Sequence, residues 1–149
     1  MSNEHSPLRD AEFMPAFLDV VIPPSDDGRL PGAGALGLAN EVADAIEADS
    51  AQGPATEDGL RAIRQAAVER EGGFAELALA PQVELIESQL AAHPTLMSTV
   101  TRYLYFAYYQ HPTVLAGLGE PPRPRFPGGF EVDETDPRLL EILRARQQP

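Results

Sequence analysis

The sequence contains no cysteine among its 149 residues. This absence excludes disulfides, thiolate nucleophiles, cysteine-ligated iron–sulfur clusters and covalently attached c-type haem. We therefore expect any redox centre that works with this chain to lie on another chain.

Basic residues and long apolar runs are also scarce. The chain has 11 Lys and Arg against 23 Asp and Glu, a net charge of −12, which repels phosphate backbones and anionic lipid headgroups. The longest apolar candidate, residues 96–109, falls short of the roughly 18 residues that span a bilayer and contains Arg102. We expect a soluble protein that binds neither nucleic acid nor membranes.

The first ten residues contain neither a twin-arginine pair nor a basic segment that leads into an apolar run. We therefore predict a cytoplasmic location. The alternative is the periplasm, if the chain is exported together with a partner.

The composition and the apolar spacing predict one helical domain. Apolar residues make up 43% and charged residues 23% of the chain, which is typical of a globular protein. The predicted fold class is all-α, a compact bundle of about five helices with a proline-rich extended C-terminal arm and a short final helix. We divide the chain into a flexible N-terminus (1–9), a helical domain (10–118) and the arm with its helix (119–149).

Caps and apolar spacing predict the first two helices. Asp10 is suited to cap a helix that ends at Val21, and Pro15 requires this helix to start late or to kink. A second helix is expected from about Gly34. Its core positions are Ala39, Val42, Ala43 and Ile46.

Two further helices follow. Thr56 is predicted to cap the third helix, which ends at Gly72. Its core positions are Leu60, Ile63 and Ala67. Pro81 is suited to the first position of the fourth helix. Its core positions are Val83, Ile86 and Leu90.

The fifth helix, about Thr95 to Gln110, is apolar or aromatic nearly all round. Such a helix is expected to be buried on all sides, either within the domain or between the domain and a partner. After Pro112 we predict a short turn that ends at Gly117. The prolines of residues 121–130 then predict an extended arm, and Asp136 is suited to cap the final helix.

Three glycines match the G-x-G-x-x-G spacing of dinucleotide-binding loops: Gly32, Gly34 and Gly37. That mechanism needs a strand directly before the first glycine. The residues between Ile22 and Gly32 have the composition of a turn instead. We interpret the segment as a loop that leads into a helix.

Asp26 and Asp27 are adjacent carboxylates that acid–base chemistry or a hard cation could use. The alternating oxygen ligands of a calcium loop are missing, so a turn is the better interpretation. His93 and His111 flank the fifth helix and lie about 25 Å apart at its rise per residue, too far to share a metal. We predict no catalytic, cofactor-binding or metal-binding residue; a small hydrolase or isomerase that uses Asp26, Asp27 and His111 stays as an alternative.

The fifth helix also contains the main aromatic concentration of the chain. Tyrosine is enriched at protein contacts because it buries a large area and keeps a polar tip, although aromatic residues at helical spacing are also typical of a core. The arm adds basic and aromatic residues that could extend the same surface. The predicted partner-contact residues are Tyr105, Tyr108, Tyr109, His111, Arg123, Arg125, Phe126 and Phe130.

Two segments resemble the gluconate 2-dehydrogenase subunit 3 family. In residues 17–39 an apolar helix ends in Ile-Pro, and an Asp-rich turn, Pro-Gly and another helix follow. The second segment combines Tyr-Tyr-Gln-His-Pro at 108–112 with Gly-Leu-Gly at 117–119 and Gly-Gly-Phe at 128–130. Together the two segments frame residues 12–130.

The resemblance implies a small, helical, non-catalytic subunit bound to a large FAD-dependent sugar or alcohol dehydrogenase of the glucose–methanol–choline type, often with a cytochrome as electron acceptor. The FAD is expected on the large subunit and no cofactor on this chain. Many members carry a twin-arginine signal that exports the folded pair, and the large subunit depends on the small one for maturation. This sequence departs from that pattern, because no twin-arginine signal precedes Asp10. Three options follow: a cytoplasmic complex, a partner with its own signal, or a misassigned start.

Two alternatives to an accessory subunit stay open beside the hydrolase or isomerase. The chain could be a stand-alone acidic helical interaction domain. It could also form a homo-oligomer that buries the tyrosines against a second copy.

Overall fold

The computed structural model describes residues 5–70, 72–122 and 137–146. All regular structure in these residues is helical, which confirms the predicted all-α class. The α helices are α1 (Phe13–Val21), α2 (Ala39–Ala48), α3 (Gly53–Val68), α4 (Leu79–Leu90), α5 (Leu96–Tyr108), α6 (Pro112–Gly117) and α7 (Pro137–Arg146). Short 3-10 turns cover Pro7–Arg9, Ala33–Leu36 and Phe74–Glu76. No helix in the described ranges is long and apolar enough to cross a membrane.

One apolar core joins the helices that precede residue 118. Helix α5 packs against α2 and α3, and α3 packs against α4. Helix α1 packs against the Ala33–Leu36 turn and, through Phe13 and Phe17, against Phe74 with ring centroids 5.3 and 6.1 Å apart. Residues 112–117, where we predicted a turn, form α6 because His111 and Pro112 provide a cap and a suitable first position.

Residues 6–9, which we assigned to the N-terminal segment, contact the rest of the domain. Leu8 is only 1% exposed, and the Pro7–Arg9 turn packs against α2 and α3. The Arg9 guanidinium also donates hydrogen bonds to the carboxylates of Asp44 and Glu47 on α2. A buried leucine and a bidentate arginine together hold this segment on the body of the domain.

Helix α1 confirms both the cap and the late start. Oδ1 of Asp10 accepts the backbone N–H of Glu12 at 3.0 Å and that of Phe13 at 2.9 Å. Pro15 lies in the first turn, where a missing N–H costs no helical hydrogen bond. Burial raises the pKa of the Asp10 carboxyl, but the N–H groups of Phe13 and Glu12 and the Arg64 guanidinium outweigh it and lower the pKa below 3.8.

A lowered pKa makes the contribution of Asp10 to stability dependent on pH. The contribution is fully present above the unfolded-state pKa of 3.8 and is lost as the pH falls through the lower pKa of the folded state. We expect Asp10→Ala to lose about 1 kcal/mol of unfolding free energy at pH 7 through the lost cap. Asp10→Asn keeps an acceptor and should lose less.

Urea unfolding of the wild type and both variants at pH 7 and near pH 3 checks this expectation. The difference between the wild type and Asp10→Asn should shrink at the lower pH. A difference that stays constant over this range contradicts the assigned role of the carboxylate.

The start of the third helix corrects the predicted cap. Helix α3 begins at Gly53, so Thr56 lies inside it, fully buried, and its hydroxyl has no hydrogen-bond partner among the described residues. Asp49 provides the cap, because its Oδ1 accepts the N–H groups of Ala51 and Gln52. A Cβ at Gly53 would overlap the carbonyl oxygen of Ile46. The helix therefore starts one turn earlier than the threonine indicated.

The predicted second helix is a 3-10 turn followed by α2, and the buried side of α4 differs in part from the predicted one. Residues 33–36 form a 3-10 turn, and α2 begins only after Gly37 adopts a φ of +70°. Its predicted core residues Val42, Ala43 and Ile46 are fully buried. In α4 the buried positions are Gln82, Leu85 and Ile86, while the predicted Val83 and Leu90 are half-buried. Gln82 faces the core because its amide donates to the Phe74 carbonyl at 2.9 Å.

Candidate protein interface

Helix α5 divides its aromatic residues between the core and the surface. Its buried side consists of Leu96, Thr99, Val100, Leu104, Ala107 and Tyr108. Three large side chains on the other side remain accessible, with exposed fractions of 45% for Tyr105, 71% for Phe106 and 48% for Tyr109. Burial on all sides is therefore not found within the described chain, and these three residues are named the aromatic face.

Tyr108 anchors α5 to the core. It is 1% exposed, and its hydroxyl donates a hydrogen bond to the Pro31 carbonyl at 2.7 Å. Burial, together with the neighbouring Tyr109, raises the pKa of the phenol. The structure thus places this predicted contact residue inside the domain, where it joins α5 to the loop that follows α1.

The aromatic face is supported by ring packing. The rings of Tyr105 and Tyr109 meet edge to face, with centroids 5.8 Å apart and planes at 88°. Tyr109 packs in the same way against the buried Tyr108, at 5.1 Å and 86°. Such edge-to-face pairs are favourable for aromatic rings. The two exposed tyrosines are therefore held in place by a chain of contacts that reaches the core.

An open groove of about 460 Å³ lies beside Phe106, between α2 and α5. It is lined by Glu41, Ala45, Arg102, Tyr103, Phe106 and Ala107. Its walls are almost wholly apolar, and it continues directly from the aromatic face through Phe106. This groove was not predicted from the sequence, because its α2 wall can be assigned only once α2 and α5 are seen side by side.

A hydrogen-bonded cluster fixes one end of the groove. Oδ2 of Asp49 accepts hydrogen bonds from the Arg102 guanidinium and the Tyr103 hydroxyl, each at 2.8 Å. The guanidinium carbon also lies 4.7 Å from the centre of the Tyr103 ring. The N–H of Gln52 first, and the Tyr103 hydroxyl second, lower the pKa of Asp49. The carboxylate therefore stays ionised at neutral pH and connects the α2–α3 junction to α5.

The predicted contact residue His111 has a local role in this structure. Its Nδ1 accepts the N–H of Thr113 at 3.2 Å, which makes it the N-cap of α6. His93 precedes the opposite end of α5, so the two histidines are well separated, as expected. The remaining predicted contact residues, Arg123, Arg125, Phe126 and Phe130, lie outside the described residues.

The paired aspartates belong to a turn. Oδ1 of Asp27 accepts hydrogen bonds from the Ser25 hydroxyl at 2.7 Å and the Arg29 N–H at 3.0 Å, and in that order the two lower its pKa. The small cleft beside it, about 240 Å³, is lined by Ser25, Asp27, Arg29, Leu30, Gly117 and Leu118. Neither Asp26 nor His111 lines this cleft, so the described structure does not bring the three residues of the hydrolase hypothesis together there.

The glycine-rich segment packs against α1. The N–H of Gly34 donates to Oδ1 of Asp19 at 2.8 Å. A Cβ at Gly32 would overlap the same carboxylate, and one at Gly34 would overlap the carbonyl oxygen of Pro15. No strand precedes this segment in the described ranges. The close approach to α1 explains two of the three glycines without a nucleotide.

Within residues 5–70, 72–122 and 137–146, no three His, Asp or Glu side chains lie close enough to hold a metal ion. The described parts of the two sequence segments that resemble a known family, within residues 17–39 and 108–119, meet in space. The Arg29 guanidinium donates to the Gly117 carbonyl at 2.9 Å, and Tyr108 bonds to Pro31 as described. The Asp-rich turn and the tyrosine-containing end of α5 thus form one contact region.

Comparison with known proteins identifies the family. The sequence model of gluconate 2-dehydrogenase subunit 3 matches residues 9–119, well over half of the chain. Neither the curated proteins nor the solved structures gave a match. The matched range covers α1 to α6, the aromatic face and both contacting segments. The chain therefore belongs to the gluconate 2-dehydrogenase subunit 3 family.

Proposed function

We propose that this chain is a non-catalytic accessory subunit that binds a large FAD-dependent sugar or alcohol dehydrogenase and stabilises or matures it. The family description supports a place in a dehydrogenase complex. In this proposal the FAD lies on the large subunit, and a cytochrome accepts electrons from the complex. This chain contributes binding surface and no reacting group.

The observation that carries the proposal is the aromatic face. Phe106 is the most exposed large hydrophobic residue of the described chain; Tyr105 lies beside it on α5, and Tyr109 lies at the C-terminal end of that helix. Exposed aromatic residues grouped on one rigid element are typical of protein contacts. Burying the exposed part of each ring is worth about 1–2 kcal/mol.

The preformed arrangement of the face also favours binding. Its tyrosines are already packed edge to face on the buried Tyr108. A surface that is ordered before contact loses little side-chain entropy on association. The net charge of −12 favours a protein partner over nucleic acid or an anionic lipid surface, because both of the latter are polyanions.

Co-purification of the tagged chain from its native host tests the proposal. We expect a yellow complex whose absorbance spectrum is that of a flavoprotein and whose second component is a polypeptide of several hundred residues. The isolated chain should show no dehydrogenase activity and no bound flavin. Dehydrogenase activity of the purified single chain, or a colourless protein that associates only with itself, would contradict the proposal and favour the enzyme or the homo-oligomer instead.

A further inference from the structure

The groove between α2 and α5 has one charged side chain that is not paired with any other residue that the structure describes. Of its two charged lining residues, Arg102 is bonded to Asp49 and to the Tyr103 hydroxyl. Glu41 is exposed, and its side chain has no hydrogen bond or ion pair with another described residue. The rim of an otherwise apolar groove therefore carries an uncompensated negative charge.

The neighbouring acids of α2 differ from Glu41 in this respect. Asp44 and Glu47 follow it on the same helix, and both are paired with Arg9. Glu41 lies in the first turn of α2. The acid at the groove is thus available to a cation from outside.

The body of the domain has no spare cation to supply. Residues 5–122 contain 17 Asp and Glu but only 6 Arg and no Lys. Each of these arginines is hydrogen-bonded or ion-paired within the chain: Arg9, Arg29, Arg61, Arg64, Arg70 and Arg102. A partner that is electrostatically complementary to this part of the chain presents basic groups.

We propose that the groove receives an apolar side chain of the large subunit, and that a basic residue next to this side chain pairs with Glu41. The inference rests on the proposed function and specifies the partner surface: an apolar anchor flanked by Arg or Lys. Ala45 and Ala107 form walls of the groove, and their small side chains leave the space that the anchor fills. Phe106 joins the groove to the aromatic face, so that one partner surface covers both.

Charge reversal at the rim tests the electrostatic half of this proposal. The affinity of Glu41→Lys for the purified large subunit, measured by calorimetry at low and high salt, should fall at least about tenfold at low salt. The loss should diminish at high salt because screening weakens the repulsion. Glu87→Lys is the matched control, since Glu87 is an exposed acid on α4 and the substitution changes the net charge equally; it should change the affinity less than about twofold.

Filling the groove tests the steric half. Ala45→Phe places a large side chain in the space reserved for the anchor and should weaken binding at least about tenfold. Circular dichroism and thermal unfolding of the variant establish that it is folded. If changing a basic residue of the large subunit to Glu restores binding to Glu41→Lys, that basic residue is the group that pairs with Glu41.

The outcomes separate this proposal from the proposed function. Equal affinities of Glu41→Lys and Glu87→Lys overturn the pairing, and undiminished binding by folded Ala45→Phe overturns the anchor. If Phe106→Asp weakens binding but neither Glu41→Lys nor Ala45→Phe does, the accessory role stands and the groove inference falls. If no flavoprotein binds the wild-type chain, both fall.

Discussion

Replacing Phe106 with aspartate is expected to weaken binding to the large subunit by about 100-fold or more. The ring is 71% exposed and lies between the exposed tyrosines and the groove. Central aromatic residues of this kind dominate interface energies, and their loss commonly costs 2 kcal/mol or more. Aspartate removes the apolar area and adds a charge that must be desolvated beside Glu41, a lining residue of the same groove.

Val68→Asp is the matched control for this experiment. Val68 is 67% exposed on α3, so the substitution has similar solvent access and the same change in charge, but it lies outside the groove. Both variants should unfold within about 0.5 kcal/mol of the wild type, since neither side chain is buried. Comparable binding by Phe106→Asp and Val68→Asp would show that the aromatic face is not the contact surface.

Gly34→Ala is expected to reduce the unfolding free energy by about 3 kcal/mol or more. A Cβ at this position would overlap the Pro15 carbonyl oxygen and would lie 2.8 Å from Oδ2 of Asp19. Both groups belong to α1, so relief requires the loop to move away from that helix and to lose the hydrogen bond between the Gly34 N–H and Asp19. Overpacking that shifts backbone is among the more costly single substitutions.

Gly37→Ala changes another glycine of the same segment and separates the cost of backbone strain from the cost of steric overlap. Gly37 has a φ of +70°, but a Cβ there meets no atom within 4 Å. We expect a cost of about 1 kcal/mol, from backbone strain alone. Urea unfolding followed by circular dichroism measures both variants. Equal costs would mean that the loop does not pack against α1 as described.

Several features of the fold were predicted from local signals. Asp10 caps α1, and the core positions Leu60 and Ile63 of α3 are buried, because caps and helical periodicity act within a few residues of sequence. The cap of α3 was missed. Thr56 has a suitable side chain, but Asp49 satisfies the first amides one turn earlier and also binds Tyr103 on α5, a contact 54 residues away in sequence.

The interface could be predicted only in part. The concentration of aromatic residues indicated α5, and Tyr105 and Tyr109 are indeed accessible. Residue type and local spacing do not distinguish the buried Tyr108 from the exposed Tyr109. Its burial depends on the Pro31 carbonyl, which the turn after α1 brings to its hydroxyl. Whether the accessible residues contact a partner stays a prediction.

The sequence by itself determined the helical class, most helix positions, the lack of cysteine chemistry and the segments shared with the family. These depend on composition and on periodicity along one helix. Only the tertiary structure decided which side of α5 faces solvent, that a groove runs beside Phe106, and that the Glu41 side chain has no partner among the described residues while Asp44 and Glu47 do. Periodicity relates residues on one helix to each other, whereas exposure and charge pairing depend on which other helices cover them.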